Sequence, residues 1–210
     1  TLLRALGGLD VGFTGQVLID GAAVSEYDAR CAIGFQEPRL LPWATVADNV
    51  ALGLPDGLSK AAGQSRVAEL LRLVGLEHAA DHRPREISGG MAQRAMVAMI
   101  LSGEPDLLIA DEATSALDAV VRHRILDLIE EQVSRRGMGL VLISHDLDLV
   151  SGYADRILVM YAGRVMEELK AGQMHAARHP YTRGLLACRP SLDHFGQDLP
   201  VLQREASWLT

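Results

Sequence analysis

The chain has 210 residues, 49% of them hydrophobic and 22% charged, with a formal net charge of −7 at neutral pH. That length fits one domain with ample material for a buried core. No apolar run approaches the roughly 20 residues needed to span a bilayer, so a soluble protein is expected, and the acidic balance offers no basic stripe for a nucleic-acid backbone.

Thr1 is not an initiator methionine, no signal-peptide pattern follows it, and Leu2, Leu3 and Leu6 have the spacing of a helix already under way. The expectation is that the natural N-terminus lies upstream. Gly15 to Ile19 favours a strand, Asp20-Gly21 is a strong turn signal, and a second apolar stretch runs from Cys31 to Phe35. From about Thr45 to Leu76 the pattern becomes helical, with Val67, Leu70, Leu71 and Val74 on one stripe and Gly75 as a C-terminal stop.

Leu107 to Ala110 and Leu140 to Ile143 are short continuous apolar runs ending in polar residues, as expected of strands buried on both faces of a parallel sheet. Ligands of such sheets bind at the carboxyl ends of the strands. Between them Val120 to Val133 reads as an amphipathic helix, with Val121, Ile125, Leu128, Ile129 and Val133 on one side, which makes a βαβ unit in an α/β fold. Arg156 to Tyr161 and Arg164 to Glu167 form a predicted hairpin around Ala162-Gly163. After Lys170 the chain is a polar, His-rich tail with no predicted structure. Cys31 and Cys188 are far apart and lack metal-ligand spacing, which reads as two unrelated reduced thiols.

Two segments carry candidate chemistry. The run Leu107-Leu108-Ile109-Ala110-Asp111-Glu112 places two carboxylates where a buried strand emerges into a loop. One can hold Mg²⁺, which takes oxygen ligands and bridges nucleotide phosphates, and its neighbour can polarise water; a solvated strand end has the same pattern. Ser88-Gly89-Gly90-Met91-Ala92-Gln93 opens a helix whose apolar body follows through Ala95, Val97, Ala98 and Leu101. Glycine amides at a helix N-terminus, the helix dipole and the Ser88 hydroxyl suit a phosphate, and an ordinary Ser N-cap uses the same residues.

In order, these segments resemble the ABC ATPases: Ser88-Gly89-Gly90 with Gln93, the strand ending in Asp111-Glu112, then Ser115-Ala116-Leu117-Asp118, then the strand followed by Ser144-His145-Asp146. They are similar to that family's signature motif, Walker B strand with catalytic Glu, D-loop and switch His. Gln36 resembles the Q-loop residue, and the helical stretch after it the inserted helical subdomain. The resemblance implies a P-loop NTPase-like, mostly parallel sheet with antiparallel front strands and an inserted helical subdomain. It gives one nucleotide-binding domain over 1–210, the helical subdomain at about 42–102 and a C-terminal tail at 171–210.

It also implies ATP and Mg²⁺ as cofactors. Asp111 and Gln36 would serve the metal. Glu112 would accept a proton from, or orient, the water attacking the γ-phosphate; His145 would hydrogen-bond that phosphate; Gln36 would relay nucleotide state towards the membrane partner. Ser88, Gly89, Gly90 and Gln93 would bind nucleotide held by a second ATPase subunit, in a homo- or heterodimer, and Asp118 would reach across the same interface, although an N-cap role at the following helix also fits Asp118. The remaining partners implied are integral-membrane permease subunits and a solute-binding protein, with the chain on the inner face of the plasma membrane.

The chain contains no G-x-x-x-x-G-K-[ST] loop to wrap the phosphates. Thr1-Leu2-Leu3-Arg4 is similar to the helix that follows that loop, with Thr1 placed to contact nucleotide, so a truncated chain is expected. Ala113 stands where many relatives have Pro. Phe35-Gln36-Glu37-Pro38-Arg39-Leu40-Leu41-Pro42-Trp43 resembles the nitrate, sulfonate and taurine importers, whereas Met160 to Arg164 and His179 to Leu186 resemble the dipeptide, oligopeptide and nickel importers. The Cys-rich end of some peptide-branch relatives is absent, so no iron–sulfur cluster is expected. The alternatives are a soluble ABC ATPase acting on nucleic acid, against which the short insertion and acidic balance argue, and a non-hydrolysing subunit, against which Glu112 and His145 argue.

Overall fold

A computed structural model describes residues 2–10, 12–24, 26 and 28–188. Thr1 and residues 189–210, which include the end of the tail, lie outside the described residues. The chain forms two compact units, Thr1–Ile143 and Ser144–Thr210.

The first unit is built on a parallel sheet in the order β3 (Cys31–Gly34), β4 (Leu107–Asp111), β5 (Gly139–Ile143). Gly34 pairs with Ala110, and Asp111 with Ile143, so the three strands finish at one edge. β4 is central, and its Leu108, Ile109 and Ala110 are buried; each fully buried Leu or Ile contributes about 1.5–3 kcal/mol relative to exposure. α5 (Ala119–Arg136) returns the chain from β4 to β5, completing the expected βαβ unit, with Ile125, Leu126, Leu128 and Ile129 buried. It extends past the predicted Val133 to Gly137, whose φ of 67° ends the helix in the left-handed conformation.

Ahead of the sheet lie α1 (Leu2–Leu6) and the short antiparallel ladder of β1 (Leu18–Ile19) with β2 (Ala22–Ala23). The turn at Asp20-Gly21 is present, with φ of 51° and 78°, the two-residue geometry that matches strand twist. The ladder is shorter than the predicted Gly15 to Ile19 because Gly15 has φ 107°, outside the extended region. Arg30 ties this ladder to β3: its guanidinium pairs with Asp28 at 2.6 Å and donates to the carbonyls of Ile19 and Ala23.

Between β3 and β4 lie α2 (Val46–Ala51), α3 (Lys60–Leu73) and α4 (Gly89–Ser102). The single helical stretch read from Thr45 to Leu76 is two helices, each with its own N-cap: Thr45 caps α2 in a reciprocal box with Asp48, and Ser59 caps α3. Gly53, Pro55 and Gly57 separate them, and Gly57 has φ 86°. The three helices share a core of Val46, Val50, Val67, Leu70, Leu71, Ala95, Val97 and Leu101. Arg94 holds the end of α3 by donating to the carbonyls of Val74 and Gly75 at 2.8 and 3.2 Å.

The second unit contains α6 (Leu147–Tyr153), the antiparallel hairpin β6 (Arg156–Tyr161) and β7 (Arg164–Lys170), and α7 (Pro180–Ala187). Ala162 and Gly163, with φ of 48° and 80°, make the turn where it was predicted. β7 runs on to Lys170 because Arg156 pairs with Lys170 across the ladder. The first part of the tail is structured: His179 caps α7 by accepting from the Tyr181 amide, and Glu167 accepts from the amides of Arg178 and His179 at 2.7 and 3.2 Å. No helix among the described residues is long and apolar enough to cross a membrane.

Candidate active site

The parallel pairing fixes the position of the acidic pair. With Gly34 opposite Ala110 in the last rung between β3 and β4, Gln36 and Glu112 both leave the sheet just past its carboxyl edge, where parallel α/β sheets place their ligands. Asp111 is the last residue of β4 and half-buried. Glu112 then takes φ 49°, and its amide donates to the carbonyl of Ile143 at 3.1 Å. A non-glycine residue held in the left-handed region costs on the order of 1–3 kcal/mol, and such outliers cluster where a side chain must be aimed. Here the turn takes the Glu112 side chain off the strand's alternation, while Ala113 and Thr114 are buried directly behind it.

Gln36 lies two residues beyond β3 and is exposed. Its loop is shaped by Arg39, at φ 48°, whose guanidinium sits 4.5 Å from the centre of the Phe35 ring, a cation–π contact. Further along, Trp43 is 70% exposed.

The Ser88 hydroxyl accepts from the Met91 amide at 3.2 Å, so it serves as the N-cap of α4. The hydroxyl proton remains to be donated, and the amides of Gly89 and Gly90, in the first turn, have no intrahelical acceptor. Both Ser88 and Gly89 are exposed. Gly90 is closely approached: a Cβ there would lie 3.3 Å from Leu117 Cδ2 and 3.6 Å from the Ala116 carbonyl.

Gln93 differs from its expected role as a direct nucleotide ligand. It is 1% exposed, because it shares the inward stripe of α4 with Met96, Val97 and Ile100 at helical spacing. Its Oε1 accepts from the Ala116 amide at 3.0 Å, and its Nε2 donates to the Gln36 carbonyl at 3.2 Å, with Ser115 Oγ at 3.5 Å. In this structure the side chain is engaged inside its own unit and is not available to a ligand at the surface. Ser115 and Ala116, read from the sequence only as part of the D-loop-like segment, are therefore drawn into the site as its partners; the spacing of Gln93 with three apolar residues was the available signal for its inward direction.

Asp118 is the N-cap of α5, its Oδ1 accepting from the Val121 amide at 3.0 Å, and the residue is exposed. His145 belongs to the second unit and is exposed there, between Ser144, whose hydroxyl accepts from the Asp146 amide, and Asp146, which caps α6.

Among the described residues no group of three or more His, Cys, Asp or Glu side chains is placed to hold a metal ion. The oxygen donors of Asp111, Glu112 and Gln36 at one edge fit instead an ion such as Mg²⁺, which keeps several waters and uses one or two carboxylates together with substrate phosphates.

Residues 1–115 match the family described as ABC transporter. The chain is 45% identical over 172 residues to the aliphatic sulfonates import ATP-binding protein SsuB 2 of Burkholderia cenocepacia (strain HI2424), covering 81% of this chain and 63% of that protein. It is 41% identical over 200 residues to the dipeptide transport ATP-binding protein DppD of Escherichia coli (strain K12), covering 89% of this chain and 59% of that one. The chain thus spans about 60% of the length of these curated relatives. Among solved structures, the dimeric post-hydrolysis state of the ATP-binding cassette MJ0796 bound to ADP and Pi superimposes with a TM-score of 0.72 at 29% identity, covering 81% of this chain and 79% of that one. The expected P-loop NTPase-like arrangement, with its parallel sheet and helical insertion, is the fold observed. With a family match over more than half its length and relatives above 40% identity, the chain belongs to the ABC transporter family.

Proposed function

We propose that this chain is the ATP-binding and hydrolysing part of an importer's ATPase subunit, coupling hydrolysis to solute uptake. The observation that carries the reading is the Asp111-Glu112 pair at the carboxyl edge of the central strand, with Glu112 in the left-handed conformation. Glu112 orients the attacking water and takes its proton, a role suited to a carboxylate just past the carboxyl edge of a parallel sheet. Asp111 and the Gln36 side chain would hold Mg²⁺, which neutralises charge on the transferring phosphoryl group when bound. Ser88, Gly89 and Gly90 present a hydroxyl and two amides to the nucleotide of a second ATPase subunit. On the same reading His145 would serve the γ-phosphate, Thr1 the nucleotide and Asp118 the partner subunit.

The names of the relatives support an importer of sulfonates or peptides, and the dimeric solved cassette supports a second ATPase subunit. Permease subunits in the membrane, a solute-binding protein and a place on the inner face of the plasma membrane follow from that reading. We further propose that residues from about 42 to 102 act as the helical subdomain that faces the permease, with the nucleotide-binding role spread over 1–210 and a tail at 171–210.

Glu112→Gln tests this in the full natural chain. The variant retains ATP binding, accumulates as a dimer with ATP bound, and loses at least about 100-fold in turnover. Turnover close to that of the unsubstituted protein removes Glu112 from the mechanism.

A further inference from the structure

We propose that Gln93 is a positioning residue that couples the loop carrying Gln36 to the loop that follows Glu112, so that neither moves without the other. The inference rests on the hydrolytic reading above but goes beyond it, since it concerns a buried side chain bonded to the backbone of both loops.

One amide group spans the two loops. Its oxygen accepts from the backbone of Ala116 at 3.0 Å and its nitrogen donates to the backbone carbonyl of Gln36 at 3.2 Å. The partners are 57 residues apart from Gln93 on one side and 23 on the other, so these bonds are tertiary contacts, independent of local chain geometry. At 1% exposure no bulk water can replace a bond that breaks, and a buried polar group left unpaired is strongly disfavoured. A shift of either loop that stretches its bond therefore displaces the amide and strains the bond to the other.

The surrounding packing supports the link. A Cβ at Gly34, two residues before Gln36, would lie 2.9 Å from Ile100 Cδ1 and 3.3 Å from the Cβ of Ala113, so the base of the Gln36 loop packs closely on both α4 and the base of the loop that follows Glu112. Gly90, one turn before Gln93, packs against Leu117 and the Ala116 carbonyl. α4 is apolar at the buried positions Ala95, Met96, Val97, Ala98, Ile100 and Leu101. A glutamine on that face is costly to bury unless it is hydrogen-bonded, and both ends of this amide are. One backbone partner belongs to Gln36, proposed to hold Mg²⁺, and the other follows Glu112, proposed to activate water, in the same loop.

The test uses the full natural chain with two variants. Gln93→Leu removes both bonds. Provided it is folded at the assay temperature, its kcat falls about 10- to 100-fold, while KM for ATP stays within about threefold, as expected when ground-state binding is untouched. Hydrogen–deuterium exchange rises in residues 35–39 and 113–118 together. Gln93→Glu keeps the acceptor and loses the donor when ionised; protonated, it recovers both, because a buried carboxyl favours its neutral form. Its kcat relative to the unsubstituted protein therefore climbs as pH falls from about 8.5 to 6.5, a response that a simple packing defect does not give.

A folded Gln93→Leu protein with kcat within about twofold of the parent, or exchange that rises in one loop alone, overturns the coupling. If the leucine variant does not fold, exchange in Gln93→Glu that rises in one loop alone overturns it. Failure of the hydrolytic reading is distinguishable: the parent would then hydrolyse no ATP, while joint exchange in the two loops would still support the coupling and separate exchange would still sink it.

Discussion

Asn49 and Leu41 are joined by two hydrogen bonds that imitate one rung of an antiparallel ladder. The Leu41 amide donates to Asn49 Oδ1 at 2.7 Å, and Asn49 Nδ2 returns a bond to the Leu41 carbonyl at 3.2 Å. The same nitrogen reaches the Thr45 carbonyl at 2.8 Å, and Asn49 is fully buried. The loop that leaves Gln36 is thereby pinned to the first helix of the insertion, with Trp43 projecting from the pinned segment.

Asn49→Ala removes the clamp and leaves two backbone groups of Leu41 with no side-chain partner. The expected cost is about 2–4 kcal/mol, read by chemical denaturation. Asn49→Asp keeps the acceptor, loses the donor and buries a charge, so it is destabilised at least as much at neutral pH. A loss below about 0.5 kcal/mol in the alanine variant, the range of ordinary surface substitutions, argues that water fills the gap and that the clamp contributes little.

How much of this was legible follows from the kind of signal each element carries. β4, α5 and β5 have continuous apolar runs, a helical stripe and a glycine stop, and the observed Leu107–Asp111, Ala119–Arg136 and Gly139–Ile143 lie within a few residues of the sequence reading. The caps at Ser88 and Asp118 are local hydrogen bonds and are likewise local in sequence. Three features were hidden. The break between α2 and α3 needs Gly53, Pro55 and Gly57 to outweigh the surrounding helical spacing. α7 is stabilised at its start by Glu167, eleven residues away from Arg178, which no local pattern announces. The inward direction of Gln93 depends on which face of α4 packs against the sheet, and a motif read as a string gives every polar residue in it the same outward role.

Cys31 provides a pH-dependent check on the packing at the start of β3. The thiol is half-buried, and burial, followed by the charge of Asp28, pushes it up to about 11 from an ordinary 9.0. A shift of this size leaves about 100-fold less thiolate near neutral pH, and thiolate is the reactive species. In a Cys188→Ser variant at pH 7.5, alkylation by iodoacetamide should be slower by about that factor than in the same protein unfolded in guanidinium. Because the folded-state value is the raised one, the stabilisation linked to the neutral thiol is complete below about pH 9 and is lost as pH rises towards 11. Equal alkylation rates for folded and unfolded protein contradict this environment for Cys31.

Asp118 carries two roles that substitution can separate. As the N-cap of α5 it needs only an oxygen acceptor for the Val121 amide, which asparagine also supplies. As the residue proposed to reach a second subunit it needs its charge. Asp118→Ala should therefore cost about 1 kcal/mol of stability, whereas Asp118→Asn should stay within about 0.5 kcal/mol of the parent by thermal denaturation. Steady-state ATPase activity divides the roles. If the carboxylate contributes at the interface, the asparagine variant loses activity several-fold while remaining as stable as the parent, and the loss grows less marked at high salt, where an exposed charge is screened. Full activity in Asp118→Asn, beside a destabilised Asp118→Ala, reduces Asp118 to the helix cap that its geometry already accounts for.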